Sequence, residues 1–190
     1  MYCARASDLA PTAAAIIEVF DGEFADRENT VLCGGADEPM YEPAAAAGVA
    51  RARICFRADY ASSALHEVAH WCIAGSARRE LPDYGYWYAP DGRNARQQAK
   101  FLKVEARPQA LEWCFSQAAG LRFRLSLDNL DEPPDGQTER CFGDAVVRAA
   151  LRLRADGLPP RGEQFLVALA RRFRPAFRRA DLQFSRDYLS

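Results

Sequence analysis

The sequence has no long apolar run, and its positive and negative charges almost cancel. No stretch is long and apolar enough to cross a bilayer, and the first eight residues lack the apolar segment of a secretory signal peptide. The formal net charge is −1 at pH 7, so the composition predicts no general attraction to nucleic acid or to a membrane surface. We therefore expect a cytoplasmic protein with no direct nucleic-acid or membrane partner.

The sequence also lacks a paired-cysteine motif. Its six cysteines are scattered without any C-x-x-C spacing, and several lie inside apolar runs. Isolated thiols of this kind usually pack as small core residues, whereas disulfide frameworks are typical of short secreted chains. The pattern favours reduced thiols.

Histidine is scarce: the chain has two, His66 and His70, and they form an H-E-x-x-H motif with Glu67 between them. Residues four apart lie on one face of a helix, close enough for both imidazoles to bind one ion. The alternative is a pair of buried histidines satisfied by local hydrogen bonds. The spacing and the intervening glutamate favour a metal site.

The residues around the motif predict a helix over 63–75. Ser62 and Ser63 are candidate N-caps, and Gly75 is a candidate C-terminal stop. Apolar side chains surround this helix almost completely, which predicts that it is buried. A buried helix would hold two metal ligands rigidly.

The chain as a whole predicts one compact α+β domain over residues 1–190, mainly helical with a small sheet. Residues 37–48 and 128–137 are expected to be loops, and residues 174–190 a loosely ordered basic tail. The expected helices cover 12–24, 63–75, 94–104, 104–115 with a stop at Gly120, 138–155 and 161–173, and the expected strands cover 30–33, 49–57 and 121–127.

Two imidazoles need a further protein ligand to hold a catalytic ion, and without a third histidine this ligand must be a carboxylate or a thiolate. Glu105 and Glu112 lie two helical turns apart and share a face. Pro108 fits only the first turn of a helix, which places Glu105 at a loop–helix junction where a site rim is expected. We favour Glu105 over Glu112, with Asp83 and Asp91 behind both.

Two histidines and one carboxylate leave open positions on the ion, and three uses of such a site stay open at this point. One is zinc–water hydrolysis with Glu67 as the general base. Another is oxygen activation at non-haem Fe(II), where Glu67 orients a ligand or contacts substrate. The third is a non-catalytic module whose closed metal site recruits a thiolate such as Cys72. The motif alone does not choose, because metal availability decides which ion is loaded.

Longer blocks of the sequence resemble the bacterial elongation factor P hydroxylase family. The resemblance covers nearly the whole chain, is most specific from His66 to Gly120, and is weakest in the arginine-rich C-terminal segment. The blocks that carry it are 37–39 with Tyr41 and Pro43, then 66–75, 77–81, 83–88, 90–93, 104–105, 108–111, 118–120 and 128–130.

The resemblance implies an Fe(II)- and O2-dependent monooxygenase-type hydroxylase that acts on a β-lysylated lysine of elongation factor P. It implies a fold without the jelly-roll barrel usual for such enzymes, in agreement with the few predicted strands. It maps the metal ligands onto His66, His70 and, by inference, Glu105, although zinc or another divalent ion can occupy such a site on purification. Val68 stands where 2-oxoglutarate-dependent enzymes usually carry the carboxylate, which argues against that co-substrate.

The resemblance also implies an acidic protein partner that carries a long cationic side chain. Its ammonium group would be received near Glu67, Asp83 or Asp91. Aromatic side chains would flank the alkyl stem or make cation–π contacts, and the candidates are Tyr84, Tyr86 and Trp87. A basic surface would attract the acidic partner; its expected members are Arg78, Arg79, Arg93, Arg96, Lys100, Lys103 and Arg107. On sequence alone, core aromatics and a solvated basic face are equally good interpretations.

Overall fold

The fold is seen in a computed structural model, which describes residues 10–85, 93–127 and 135–189. Within these ranges the chain is mainly helical with one small sheet, and this confirms the predicted α+β class without a barrel. The elements in chain order are α1 (Ala13–Phe24), β1 (Thr30–Ala36), β2 (Met40–Glu42), α2 (Ala44–Ala47), β3 (Ala52–Arg57), α3 (Ala61–Ile73), α4 (Ala95–Ala119), α5 (Gly136–Asp156) and α6 (Pro160–Phe173).

The sheet has the strand order β1-β3-β2, with β1 parallel and β2 antiparallel to the central strand β3. Burial alternates along each strand, so that Leu32, Tyr41 and Ile54 face the helices while the residues between them face outward. β3 leads after a short turn into α3. The sheet therefore fixes where the helix with both histidines begins.

Helix α3 lies at the centre of the core. Trp71 is fully buried, and its ring packs edge-on against Phe20 and Phe24 of α1 at centroid distances of 5.2 and 5.0 Å. Phe165 of α6 joins the same aromatic cluster, with its ring 5.8 Å from Phe20. Aromatic rings in these edge-to-face arrangements stabilise a core beyond their buried area, so α3 is held firmly from two sides.

The start of α3 differs from the prediction. The helix begins at Ala61, and Tyr60 occupies the N-cap position without a side-chain cap hydrogen bond. Ser63 lies inside the helix, where its hydroxyl accepts a hydrogen bond from the backbone N–H of Arg57. The predicted serine cap is therefore wrong: Ser63 joins the helix to the end of β3 instead.

Helix α4 is one continuous helix, so the predicted division into two helices near residue 104 is wrong. Asn94 and Gln97 form a capping box at its start, and Gly120 ends it in the left-handed conformation that glycine adopts most easily. Pro108 lies inside the helix and removes the hydrogen bond to the carbonyl of Val104, an exposed residue where water can solvate that carbonyl. Glu105 therefore lies in the middle of a long helix and not at a loop junction.

Two further predictions of local structure are corrected. Residues 121–127 pair with no strand in the described part of the chain; Phe123 instead stacks on Trp113 at a centroid distance of 5.2 Å. Their alternating pattern therefore reflects packing on α4. The predicted loop at 37–48 contains β2 and the short helix α2.

The C-terminal segment after α6 packs on the domain through apolar side chains. Phe177 and Leu182 are buried among core residues. The predicted loose order of residues 174–190 stays a prediction. Among the described residues, no helix has both the length and the apolar character needed to cross a membrane.

Candidate metal centre

The candidate site lies where α3 crosses α4. His66 and His70 project from one face of α3 because they are four residues apart, and the buried side chains of Glu105 and Glu112 face them from α4. The structure thus brings together four of the side chains that the sequence singled out. One ligand atom from each of His66, His70 and Glu105 lies within 4.8 Å of the other two.

The three atoms form a small triangle. His66 Nε2 and His70 Nε2 are 3.1 Å apart, and Glu105 Oε2 lies 3.3 Å from His70 Nε2 and 3.4 Å from His66 Nε2. An ion bound at ~2.1 Å in tetrahedral or octahedral geometry holds neighbouring ligand atoms about 3.0–3.4 Å apart. The triangle therefore matches one face of such a coordination sphere, and the candidate group found among the described residues supplies no further ligand.

Glu112 contacts the other nitrogen of His66. Its Oε2 lies 2.8 Å from His66 Nδ1, so a protonated Nδ1 donates to the carboxylate and Nε2 faces the triangle, where its lone pair becomes available to an ion once the Nε2 proton is lost. Carboxylates in this position fix the tautomer and the ring orientation of metal-binding histidines. The sequence leaves Glu112 as an alternative metal ligand; in the structure its carboxylate contacts Nδ1 of His66, on the side of the ring away from the triangle.

The charges in the site favour a bound cation. Burial opposes protonation of His66, but hydrogen bonds to Glu105 and Glu112 outweigh it and raise the pKa of His66 well above its usual value. Burial also disfavours the carboxylate form of Glu105, but His70 and His66 lower the pKa of Glu105 below its usual value. For Glu112 burial dominates, and its pKa is raised. A divalent ion would replace the protons that these buried groups otherwise share.

Glu67 is half-buried beside the two histidines, and burial raises the pKa of its carboxyl group. It makes no hydrogen bond or ion pair with any residue in the described part of the chain. Cys72 is buried and does not belong to the candidate ligand group found among the described residues. The described geometry therefore gives no support to a closed site that includes this thiol.

Arg161 of α6 holds the C-terminal end of α3. Its guanidinium donates to the backbone carbonyls of Trp71 at 2.9 Å and Ala74 at 2.6 Å, and it lies over the Trp71 ring at 4.5 Å from the centroid. The last carbonyls of a helix have no partner within the helix, and a cation offsets their partial negative charge. No sequence signal pointed to Arg161, because it comes from a helix 90 residues further along the chain.

Tyr84 lies in a tight turn beside the site. Asp83 and Tyr84 both have positive φ angles of 47° and 57°, and this strained turn stacks the Tyr84 ring on Tyr41 at 4.4 Å. Asp83 accepts a hydrogen bond from the backbone N–H of Tyr41 at 2.8 Å, so one of its oxygens stabilises the turn. The buried Tyr84 hydroxyl has no hydrogen-bond partner in the described structure.

A cavity of about 600 Å³ opens next to His70. Tyr84 borders it, and so do Lys103 and Arg107 of α4, which are both exposed to solvent. Arg78 also borders the cavity and donates to the carbonyl of Tyr84. A cavity of this size can admit a long side chain up to the candidate metal centre.

Only some of the residues predicted to form the basic docking surface are exposed to solvent. Arg96 and Lys100 are exposed and continue the row of Lys103 and Arg107 along α4. Arg93 does not belong to this surface, because it is buried, bonds to Gln98 and stacks on a neighbouring ring.

Arg79 forms an ion pair with Glu28 at 2.7 Å, so its charge is already partly compensated. Three predicted substrate contacts lie outside the described residues: Tyr86, Trp87 and Asp91.

Comparisons with known proteins agree with the resemblance seen in the sequence. Residues 19–183 match the family described as elongation factor P hydroxylase. A protein of Haemophilus influenzae named elongation factor P lysine hydroxylase is 47% identical over 154 residues, which cover 81% of this chain and 85% of the relative. Both matches include the two histidines of α3 and the whole of α4.

Proposed function

The chain belongs to the elongation factor P hydroxylase family, and from this premise we propose that it hydroxylates a β-lysylated lysine of elongation factor P at an Fe(II) ion. His66, His70 and Glu105 would hold the ion. The observation that carries the proposal is the triangle of ligand atoms, whose edges of 3.1, 3.3 and 3.4 Å fit one coordination sphere.

The donor set suits this chemistry. Two imidazoles and one carboxylate on one side of an ion are the ligand set of non-haem Fe(II) oxygenases, and they leave positions for substrate and dioxygen. Bound iron would supply the activation of oxygen. The protein would supply rigid ligands, because α3 is buried in the aromatic core and Glu112 fixes the ring of His66.

Several side chains would position the substrate. The lysine-derived side chain would enter through the cavity beside His70, which Tyr84 borders. Glu67, half-buried beside the two histidines, would receive an ammonium group. Lys103 and Arg107 at the mouth would attract an acidic protein surface and raise the rate of encounter. In this proposal the acidic partner would remain outside the cavity and its cationic side chain would lie inside.

2-Oxoglutarate would not take part in this reaction. Val68, at the position where such enzymes carry a carboxylate, is completely buried in the core and faces away from solvent. We therefore expect hydroxylation to proceed without added 2-oxoglutarate, with electrons from another donor.

The test is mass spectrometry of β-lysylated elongation factor P after incubation with the iron-loaded protein, O2 and a reductant. We expect one added oxygen on the modified lysine, and its loss with His66→Ala, His70→Ala and Glu105→Ala. Glu139→Ala is the matched control, because it removes an exposed carboxylate from α5. Stoichiometric zinc that sustains peptide hydrolysis through Glu67 would replace this proposal with a metallohydrolase.

A further inference from the structure

Three sulfur atoms lie in one row across the outer face of the sheet. In the strand register, Cys33 of β1 is directly opposite Cys55 of β3, and Cys55 is directly opposite Met40 of β2. The cysteines are 22 residues apart in the sequence, so no spacing motif reveals them. The sheet brings them together because β3 pairs with β1 on one side and with β2 on the other.

All three side chains point to the same face, away from the helices. Residues directly opposite each other on neighbouring strands share a face. Leu32 before Cys33, and Ile54 and Phe56 on either side of Cys55, are buried, whereas Cys33 and Cys55 are half-buried and Met40 is 42% exposed. The row is thus open to solvent, and neither thiol is in a disulfide bond.

The backbone around the row is fixed. Immediately after Cys33 the strand forms a bulge at Gly34 and Gly35; a side chain on Gly34 would come within 2.9 Å of the Phe56 ring, and Gly35 has a φ of +80°. In the next row of the sheet, Arg53 donates twice to one oxygen of Glu42 at 3.0 and 2.6 Å. A bulge and an ion pair therefore hold the strands on both sides of the sulfur row.

We propose that Cys33, Cys55 and Met40 form a binding site for monovalent copper, separate from the histidine centre. Two thiolates and a thioether are soft ligands, which select Cu(I) over hard ions. Two thiolates bound to one ion at ~2.3 Å hold their sulfurs about 4–4.6 Å apart, close to the spacing of roughly 4.8 Å between β1 and β3. Met40 lies on the other side of β3 from Cys33, and its long, flexible side chain would reach the ion from there. Binding converts two thiols to thiolates and releases two protons, and the nearby Arg53 guanidinium offsets the added negative charge.

Zinc fits this row less well than copper. Structural zinc takes four ligands in a tetrahedron, and the row supplies three. Two carboxylates act on the Cys33 thiol, and both are engaged: that of Glu42 accepts from Arg53, and that of Asp21 accepts from the backbone N–H of Leu32. Burial raises the pKa values of both thiols, and Arg53 opposes the rise for Cys33. Only an ion with high affinity for sulfur displaces protons from such thiols at neutral pH.

The test is an anaerobic titration of the reduced, metal-free protein with Cu(I) in competition with bicinchoninate. We expect one equivalent to bind, with an affinity at least ~100-fold lower in Cys33→Ser and Cys55→Ser and about tenfold lower in Met40→Leu. Cys141→Ser is the matched control, since that cysteine is exposed and belongs to α5 and not to the sheet. The same equivalent must survive in the double variant His66→Ala, His70→Ala.

X-ray absorption of the copper-loaded wild-type protein gives a measurement that does not depend on variants. Three sulfur atoms bound directly to the copper ion support the site. A shell with nitrogen or oxygen, an equivalent lost with the two histidines, or unchanged affinity in Met40→Leu would overturn it. So would thiol mapping that finds Cys33 and Cys55 joined as a disulfide in protein prepared under reducing conditions. None of these outcomes depends on hydroxylase activity.

Discussion

Replacing Glu112 distinguishes two roles that a glutamate can have at this site: orienting a metal-binding histidine, or binding the metal itself. Its Oε2 lies 2.8 Å from His66 Nδ1, whereas the ligand triangle uses Nε2 of the same ring. In Glu112→Gln the amide oxygen still accepts the Nδ1 hydrogen, but the negative charge is gone. In Glu112→Ala the hydrogen has no acceptor, and the ring of His66 loses its support.

The expected magnitudes follow from this geometry. Loss of a carboxylate behind a metal-bound histidine weakens metal binding about 10- to 100-fold, and each factor of ten corresponds to about 1.4 kcal/mol. We expect Glu112→Gln near the lower value and Glu112→Ala near the upper one. Glu105→Gln removes a ligand, so its loss should exceed both.

The assay is competition for Fe(II) or Co(II) against a chromophoric chelator under anaerobic conditions. Gln109→Leu is a suitable control on the same helix: Gln109 is buried and bonds to the backbone of Ser126, so this change lowers stability but leaves metal affinity unchanged. If Glu112→Gln binds metal as tightly as the wild type, or if it loses more affinity than Glu105→Gln, the assigned roles of the two glutamates are wrong.

Three further predictions test the surroundings of the site. Tyr84→Phe should raise KM for the protein substrate about tenfold without loss of stability, because it removes a buried hydroxyl that has no described partner. Tyr41→Phe removes a hydroxyl that donates to the carbonyl of Arg79, so it should cost about 1 kcal/mol of stability and leave KM unchanged. The reverse pattern in kinetics and thermal melts would refute this. Arg161→Met should lower stability by about 2 kcal/mol and Tm by roughly 4–8 °C, since two helix-end carbonyls lose a charged donor; an unchanged melting curve would contradict the anchoring of α3. Metal binding at pH 7 should release a proton from His66, because its raised pKa keeps it protonated in the metal-free protein. The stability of the metal-free form should fall as pH rises through that pKa. Calorimetry in buffers of different ionisation enthalpy that shows no proton release would count against the assignment.

The sequence was sufficient to predict the metal-binding helix because its signal is local. His66 and His70 are four residues apart, and a helix places them on one face wherever it packs. Helical periodicity and apolar pattern likewise indicated the mainly helical class. The choice of Glu105 rested on a wrong premise, since Pro108 does not begin a helix; the structure nevertheless brings Glu105 to both histidines.

What the sequence could not supply was information about distant neighbours. The role of Glu112 depends on which face of α4 meets α3, and both glutamates share that face. Residues 121–127 alternate like a strand, but they pair with no described strand, and Phe123 packs on Trp113 of α4. Strand pairing is similarly non-local, and it alone reveals that Cys33 and Cys55 are neighbours.

The most direct test of the central claim exchanges the metal in one protein sample. Metal-free protein is divided and loaded with Fe(II) or with Zn(II), and each portion is incubated with β-lysylated elongation factor P, O2 and a reductant. Our account predicts one added oxygen on the modified lysine with Fe(II), none with Zn(II), and none with Fe(II)-loaded Glu105→Ala. Equal hydroxylation in the zinc sample, or full activity of Glu105→Ala, would contradict an iron centre formed by His66, His70 and Glu105.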